Sequence, residues 1–229
     1  MKKTAIFVDG GFYRKRASNL WGKKTPEKRA AELYAYCQTH MKREQKHDVD
    51  RRLYRIFYYD CPPLGKTVYH PLKQQGIDFR YSETFSWTLD FFEQLKQQRK
   101  VALRLGKLSD ARAGYNINPK KLKDLCAGKI QVSDLTEDDF NVTFEQKGVD
   151  MMIGVDIASV TFKRQVDQII LIAGDSDFVP ASKLARREGI DFILDPMWAT
   201  IRDDLFEHID GIHSNWKKRD KGTTTNKNE

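Results

Sequence analysis

Short apolar runs that end in acids punctuate this chain. Ile169-Ile170-Leu171-Ile172 passes through Ala173-Gly174 and then delivers Asp175 and Asp177. A continuous aliphatic run of this length predicts a strand buried on both faces, and hence a parallel sheet covered by helices. The run at residues 4–8 repeats the pattern, ending in Asp9-Gly10-Gly11, with glycines suited to a tight turn. Residues 53–59, rich in aromatics, and residues 191–194, ending at Asp195-Pro196, predict two further strands. Ile153, Ile157 and Val160 have helical spacing, which puts Asp150 in the first turn of a helix. Ala30, Leu33, Tyr34, Cys37 and Met41 form the stripe of a helix over 26–47, with Pro26 in its first turn. Further helices are predicted at 89–100, at 180–188 before Gly189, and at 200–208.

The middle of the chain is less regular. Cys61-Pro62-Pro63-Leu64-Gly65 reads as a loop, 66–75 as a short helix, and the region of 77–81 as a strand. Residues 101–108 alternate as a half-exposed strand, one arm of a hairpin that returns over 141–146. Residues 109–139 have little periodicity and many charges, the pattern of an inserted loop with one helical turn around 119–125. The segment from Lys217 onward lacks apolar residues and is expected to be disordered. Alternating strands and helices predict an α/β sheet with right-handed crossovers. The strands ending in Asp9 and Asp175 are expected to lie side by side, at the carboxyl ends where such sheets bind ligands.

Composition narrows the class. A chain of 229 residues is long enough for one large domain or a domain with an insertion. No apolar run reaches the roughly 20 residues that span a bilayer, and the apolar run before Asp9 is too short for a signal peptide. A cytoplasmic protein is expected. Cys37, Cys61 and Cys126 form no Cys-x-x-Cys pair, which argues for reduced thiols and against zinc. The five histidines show no clustered spacing, and His208 and His213 read as surface residues. The net charge is +8, with basic runs at Arg14-Lys15-Arg16, Lys120-Lys121 and Lys217-Lys218-Arg219. A basic chain with an acidic pocket suits a polyanion handled through a divalent metal, although any single basic pair is first of all a solvated surface.

The candidate chemistry rests on Asp9, Asp150, Asp175 and Asp177. Four converging carboxylates repel one another and raise each other's pKa. A hard divalent cation such as Mg²⁺ or Mn²⁺ relieves that repulsion and activates water toward a phosphodiester. Each acid also has a structural reading. Asp9 can cap its glycine turn, Asp150 can cap its helix, and Asp175 and Asp177 can cap the helix near Pro180. Asp156 lies on the wrong face to join Asp150, and Asp195 ends a strand from which it can approach the site from the side.

These motifs carry a resemblance. Asp9 with its glycines, Gln146-Lys147-Gly148-Val149-Asp150, and the run from Ala173 to Pro180 resemble the motifs of the NYN domain family, in the PIN-like nuclease superfamily, and most closely its bacterial LabA-like branch. Arg55-Ile56-Phe57-Tyr58-Tyr59-Asp60 is similar to the family's second strand. The resemblance covers 1–15, 53–60 and 140–212. It implies a Rossmann-like three-layer sandwich with a central, mostly parallel sheet and an inserted loop or hairpin region. It implies one domain over 1–216, with the insertion at about 84–140 and a basic tail at 217–229. It also implies RNA cleavage by metal-activated water, with Asp9, Asp150, Asp175 and Asp177 holding Mg²⁺ or Mn²⁺. Ser176 would position phosphate or water, and Asp156 and Lys147 would support the site. The family often has Asn three residues after the first Asp, where this chain has Phe12.

Arg14, Lys15, Arg16, Arg112, Lys120 and Lys121 are candidates for guiding the nucleic-acid strand, with Tyr115 available to stack on a base. Trp87 and Trp216 read equally as partner surface and as packing. Two functions follow: a metal-dependent endoribonuclease, and a non-catalytic nucleic-acid-binding or regulatory protein that keeps the fold. RNA is the expected partner, with DNA and a homodimer left open. A phosphatase of the haloacid dehalogenase type is excluded, because it needs a second Asp where Gly11 stands.

Overall fold

A computed structural model describes residues 1–42 and 50–216, apart from the side chains of Asp110, Ala111 and Arg112. The elements run β1 (Lys2–Asp9), α1 (Gly10–Trp21), α2 (Pro26–Thr39), β2 (Arg51–Asp60), β3 (Thr67–His70), β4 (Gln75–Asp78), α3 (Glu83–Lys96), β5 (Val101–Leu105), β6 (Lys107–Ile117) and α4 (Pro119–Cys126). They continue with β7 (Phe140–Lys147), α5 (Val149–Phe162), β8 (Gln168–Ile172), α6 (Val179–Arg187), β9 (Asp191–Asp195), α7 (Asp203–Phe206) and β10 (Gly211–Ile212). The chain divides into two compact units. One takes Met1–Asp60, Phe91–Arg104 and Val149–Glu229, and the other Cys61–Asp90 and Leu105–Gly148.

The first unit is built on a six-stranded sheet of order β10-β9-β8-β1-β2-β5. β1 pairs in parallel with β2 and β8, and β8 with β9. The α/β class and the adjacency of the Asp9 and Asp175 strands are therefore as expected. From β1 the chain moves outward to β2, and later returns to β8 on the other side. The gap between the carboxyl ends of β1 and β8 is thus the point where strand order reverses, and the ligand-binding crevice of such sheets lies there. All five residues of β8 are buried. On one face, Phe7 stacks on Phe57 at 5.0 Å and on Tyr59 at 6.2 Å, in the core that receives Ile153, Ile157 and Val160 of α5. On the other face, Tyr58 meets Phe91 edge-on at 5.6 Å.

The second unit holds two antiparallel hairpins, β3–β4 and β6–β7. His70 packs against Tyr115 at 4.3 Å and Phe140 at 5.3 Å. Tyr115 is half-buried in this unit, its ring tilted against the histidine.

Several local expectations are corrected. Gly10-Gly11 opens α1 instead of a tight turn, because Asp9 caps the helix by accepting from the Phe12 N–H. The bland stripe of α1, with Gly10, Tyr13 and Ala17 buried, left no strong periodicity to read. The predicted helix over 66–75 is the β3–β4 hairpin. Val68 and His70 are buried while Thr67 and Tyr69 are exposed, a period of two, and Pro71 cannot donate within a helix. Instead of a strand, residues 79–81 form a 3₁₀ turn capped by Asp78. α3 begins at Glu83, six residues before the predicted start, where Ser82 Oγ accepts from Phe85 N–H at 3.2 Å. The alternating run at 101–108 is two strands, β5 in the main sheet and β6 in the hairpin. The hairpin arms extend well into 109–139, with α4 following. α2 ends at Thr39, and the expected continuation over 43–47 and the tail from Lys217 lie outside the described residues, as does the Arg112 side chain.

Candidate active site

Three elements bring the candidate acids to the crevice. β1 ends at Asp9, α5 carries Asp150 in its first turn after Gly148 in the left-handed region, and the turn after β8 carries Asp175 and Asp177. Each local structure has a physical cause. Asp9 Oδ1 accepts from Phe12 N–H at 3.0 Å, and Asp175 Oδ1 accepts from Asp177 N–H at 3.2 Å. Both acids cap, but elsewhere than expected. Asp9 caps helix α1 rather than a glycine turn, and Asp175 caps the 3₁₀ turn over 176–178, while α6 near Pro180 has no side-chain cap. Capping leaves the other oxygen of each carboxylate for a ligand.

Electrostatics link the four acids. Burial pushes the Asp9 carboxyl up from its ordinary 3.8 to about 6, the Phe12 N–H opposes this, and the charges of Asp150 and Asp60 add to the rise. Asp150 is raised by burial, then by the charges of Asp175 and Asp177. Asp150 is thus the node that couples Asp9 on β1 to the pair beyond β8. Among the described residues, no three His, Cys, Asp or Glu side chains stand close enough together to hold a metal ion. The donors are all hard carboxylate oxygens carrying excess negative charge. That set suits Mg²⁺, which commonly takes one or two carboxylates, waters and substrate phosphate rather than a closed protein cage.

Asp60 is a residue that the sequence reading passed over. It ends β2 beside β1 and is 1% exposed, and it accepts from Arg14 and from the Tyr58 hydroxyl, each at 3.0 Å. Its signal was present in the strand-ending acid of Tyr59-Asp60, the same pattern as Val8-Asp9. Arg14 is thereby held by Asp60, and Arg16 donates to the Met197 carbonyl at 2.6 Å, while Lys15 is exposed. Gly10 is required by close packing, since a methyl there would meet Tyr58 and the Tyr59 carbonyl at 2.5 Å. A methyl on Gly174 would collide with the Phe12 ring. Phe12, at the position of the family's Asn, therefore packs on the glycine that precedes Asp175.

Asp156, Lys147 and Lys121 have charged partners of their own. Asp156 accepts from the Tyr59 hydroxyl at 2.7 Å and from Arg104 at 3.4 Å. Lys147 is exposed and pairs with Glu145 at 3.4 Å. Lys120 is exposed at the start of α4, and Lys121 pairs with Asp139 at 3.4 Å. Ser176 lines a groove with Asp150 and Asp177. Asp195 does not approach the site. It is fully buried, accepting from Tyr36 at 2.5 Å and from Met197 N–H and Ser214 at 2.8 Å, with His40 Nε2 also at 2.8 Å. The histidines are not all separate, for His40 and His213 meet edge-on at 5.6 Å. Trp216 packs on Trp21 at 5.1 Å and Tyr36 at 5.3 Å, so it serves as packing.

The raised Asp9 carboxyl gives a stability prediction. The folded state keeps its proton to higher pH than the unfolded state, so folding is most favoured at low pH. That advantage is lost as pH rises from about 4 to about 6 and stays lost above. The shift corresponds to at most about 3 kcal/mol. Asn caps helices as well as Asp does. Asp9→Asn in EDTA is therefore expected to be more stable than the parent by about 1–3 kcal/mol at pH 7.5, with the difference vanishing near pH 4. Urea unfolding at both pH values checks this, and a variant no more stable than the parent at pH 7.5 would contradict it.

The profile of the NYN domain matches residues 65–204, more than half of the chain, and the chain belongs to the NYN domain family. NYN domains are part of the PIN-like nuclease superfamily. The matched segment contains Asp150, Asp175 and Asp177, while Asp9 lies before it and joins through the β1–β8 pairing. The chain is 23% identical over 177 residues to Uncharacterized protein MJ0482 of Methanocaldococcus jannaschii, covering 66% of this chain and 73% of that protein. Among solved structures it is similar to VPA0982 of Vibrio parahaemolyticus, a protein of unknown function. There the identity is 12% and the TM-score 0.46, over 92% of this chain and 91% of that one.

Proposed function

We propose that this protein is a metal-dependent endoribonuclease of the LabA-like branch, acting through Asp9, Asp150, Asp175 and Asp177. The observation that supports the reading most is the parallel pairing of β1 with β8, which sets Asp9 beside the acids that follow β8, with Asp150 raised in part by the charges of Asp175 and Asp177. A bound Mg²⁺ or Mn²⁺ would supply charge neutralisation and a water acidified for attack on phosphorus. Asp150 and Asp9 would hold that cation, each destabilised as a bare anion by burial and by its neighbours. Asp175, fixed by the Asp177 N–H, and Asp177 would complete the acidic wall and orient the attacking water. Asp60, paired with Arg14, would act on Asp9 through its charge, adding to the repulsion that a cation would relieve. Ser176 would donate its hydroxyl to a phosphate oxygen. The exposed Lys15 and Lys120 would act through charge on the strand, and their loss would weaken binding at all sequences alike.

One observation favours a second reading, a non-catalytic RNA-binding protein. The Phe12 ring fills the place over Gly174 where the family's amide would stand. The test is cleavage of labelled single-stranded RNA and DNA with Mn²⁺, Mg²⁺ or EDTA, comparing the parent with Asp175→Asn. Metal-dependent RNA cleavage that disappears in Asp175→Asn, with RNA binding retained, is expected. RNA binding without cleavage in both proteins would establish the second reading instead.

A further inference from the structure

We propose that the groove between α5 and α6 is a pocket for one unstacked nucleobase of the strand being cut. The inference rests on the nuclease reading above and adds how the substrate is read. The groove has a volume of about 780 Å³, within the range of pockets that hold nucleotide-sized ligands. One wall is an apolar stripe of α5, Met151, Val155 and Ala158, and the facing wall carries Pro180 and Leu184 of α6. Met151 is 73% exposed and Val155 57%, so this face of α5 leaves apolar surface in water. The opposite side of α5 is already covered, with Ile153, Ile157 and Val160 in the core, so this stripe is a second apolar face of the helix.

The groove's polar groups narrow the occupant. They are Asp150, Ser176, Asp177 and Asp204, and among the described residues no Lys, Arg or His lines it, on a chain whose net charge is +8. Away from the proposed metal, between α5 and α6, a phosphate would find only apolar side chains and the Asp204 carboxylate, and no cation to pair with. The walls accept hydrogen bonds and cover flat apolar surface, whereas a base has two apolar faces and N–H donors along its edge. The groove is also continuous with the candidate site, because Asp150, Ser176 and Asp177 belong to both. A strand with its phosphate at the acids therefore delivers a neighbouring base to the groove. Only an unpaired base can enter, so duplexes are excluded. Bases with an exocyclic amine, which a carboxylate such as Asp204 can accept from, are favoured over uracil.

The test maps cut sites on end-labelled single-stranded RNA that contains one abasic residue, using the full chain with Mn²⁺. The bond at one fixed offset from the abasic residue is expected to be cut about tenfold or more slowly than in the intact strand, with other bonds unaffected. Val155→Gln, at an exposed position that leaves folding intact, is expected to erase that local protection and slow all bonds together. Equal cutting at every bond overturns the pocket while leaving the nuclease reading standing. The absence of metal-dependent cleavage on any strand overturns both. If Val155→Gln converts a dimer to a monomer and leaves the cutting pattern unchanged, the groove is a contact between copies of this chain, and the base pocket is overturned.

Discussion

Asp150→Asn is expected to lower RNA cleavage by about a thousandfold or more, roughly 4 kcal/mol of transition-state stabilisation, with folding and RNA binding intact. The reasoning is electrostatic. Asp150 is only partly desolvated in the first turn of α5 and keeps much of its surface in water, so the amide fits without disturbing packing, and Asn is tolerated at a helix start. Its charge is the one felt by Asp9 and acted on by Asp175 and Asp177, so neutralising it unlinks the two halves of the site. The Asp9 carboxyl should titrate lower in this variant, since one of its repulsive neighbours is gone. Asp156→Asn is the informative comparison. Asp156 is engaged with Tyr59 and Arg104 and lies outside the coupled set, so cleavage should fall only a few-fold. Single-turnover rates at saturating Mn²⁺ decide the matter. Equal losses in the two variants would mean that the charge network does not define the catalytic set.

The largest stability effect is expected at Asp195→Ala. Four groups from three separate stretches of chain converge on this carboxylate, namely Tyr36, His40, the Met197 N–H and Ser214. His40 and Asp195 have no exposed side-chain surface. Burial and then the Asp195 charge push the Tyr36 hydroxyl well above its ordinary range, so it stays protonated and donates. Removing the carboxylate orphans donors that water cannot reach. Breaking a buried pair in this way costs about 3–5 kcal/mol. For a chain of this size that lowers Tm by on the order of 10 °C. Asp195→Asn keeps an acceptor for Met197 and Ser214 and should cost less. Urea unfolding with fluorescence detection reads both. A loss below about 1 kcal/mol in Asp195→Ala would show that the cluster is solvated rather than sealed.

The two aspartates show how far pattern reading extends. Asp9 and Asp195 each end a strand and precede a turn, and the local sequence treats them alike. Asp9 opens onto a crevice because β1 has β8 and β2 as neighbours, whereas Asp195 ends β9 under α2 and the segment around Ser214. Asp60 went unnoticed for a related reason. Its partner Arg14 is 46 residues away, and the basic run that contains Arg14 reads as surface. Arg14 and Arg16 stand in a basic run that reads as strand-guiding on charge, and in the fold they also donate to Asp60 and to the Met197 carbonyl.

What the sequence determined by itself was the set of buried strands, the acids at their carboxyl ends and the α/β class. These follow from periodicity and from the limited places where an Asp can end a buried run. It showed that Asp9 and Asp175 cap, but not what they cap: Asp9 opens helix α1 instead of a glycine turn, and Asp175 caps a 3₁₀ turn instead of the helix near Pro180. Tertiary structure alone decided which strand-ending acids share one field, the seating of Phe12 on Gly174, the β3–β4 hairpin and the groove between α5 and α6. Each of those depends on side chains or backbone far apart in sequence meeting at a few ångströms, and the energy of such a meeting appears in neither partner's local pattern.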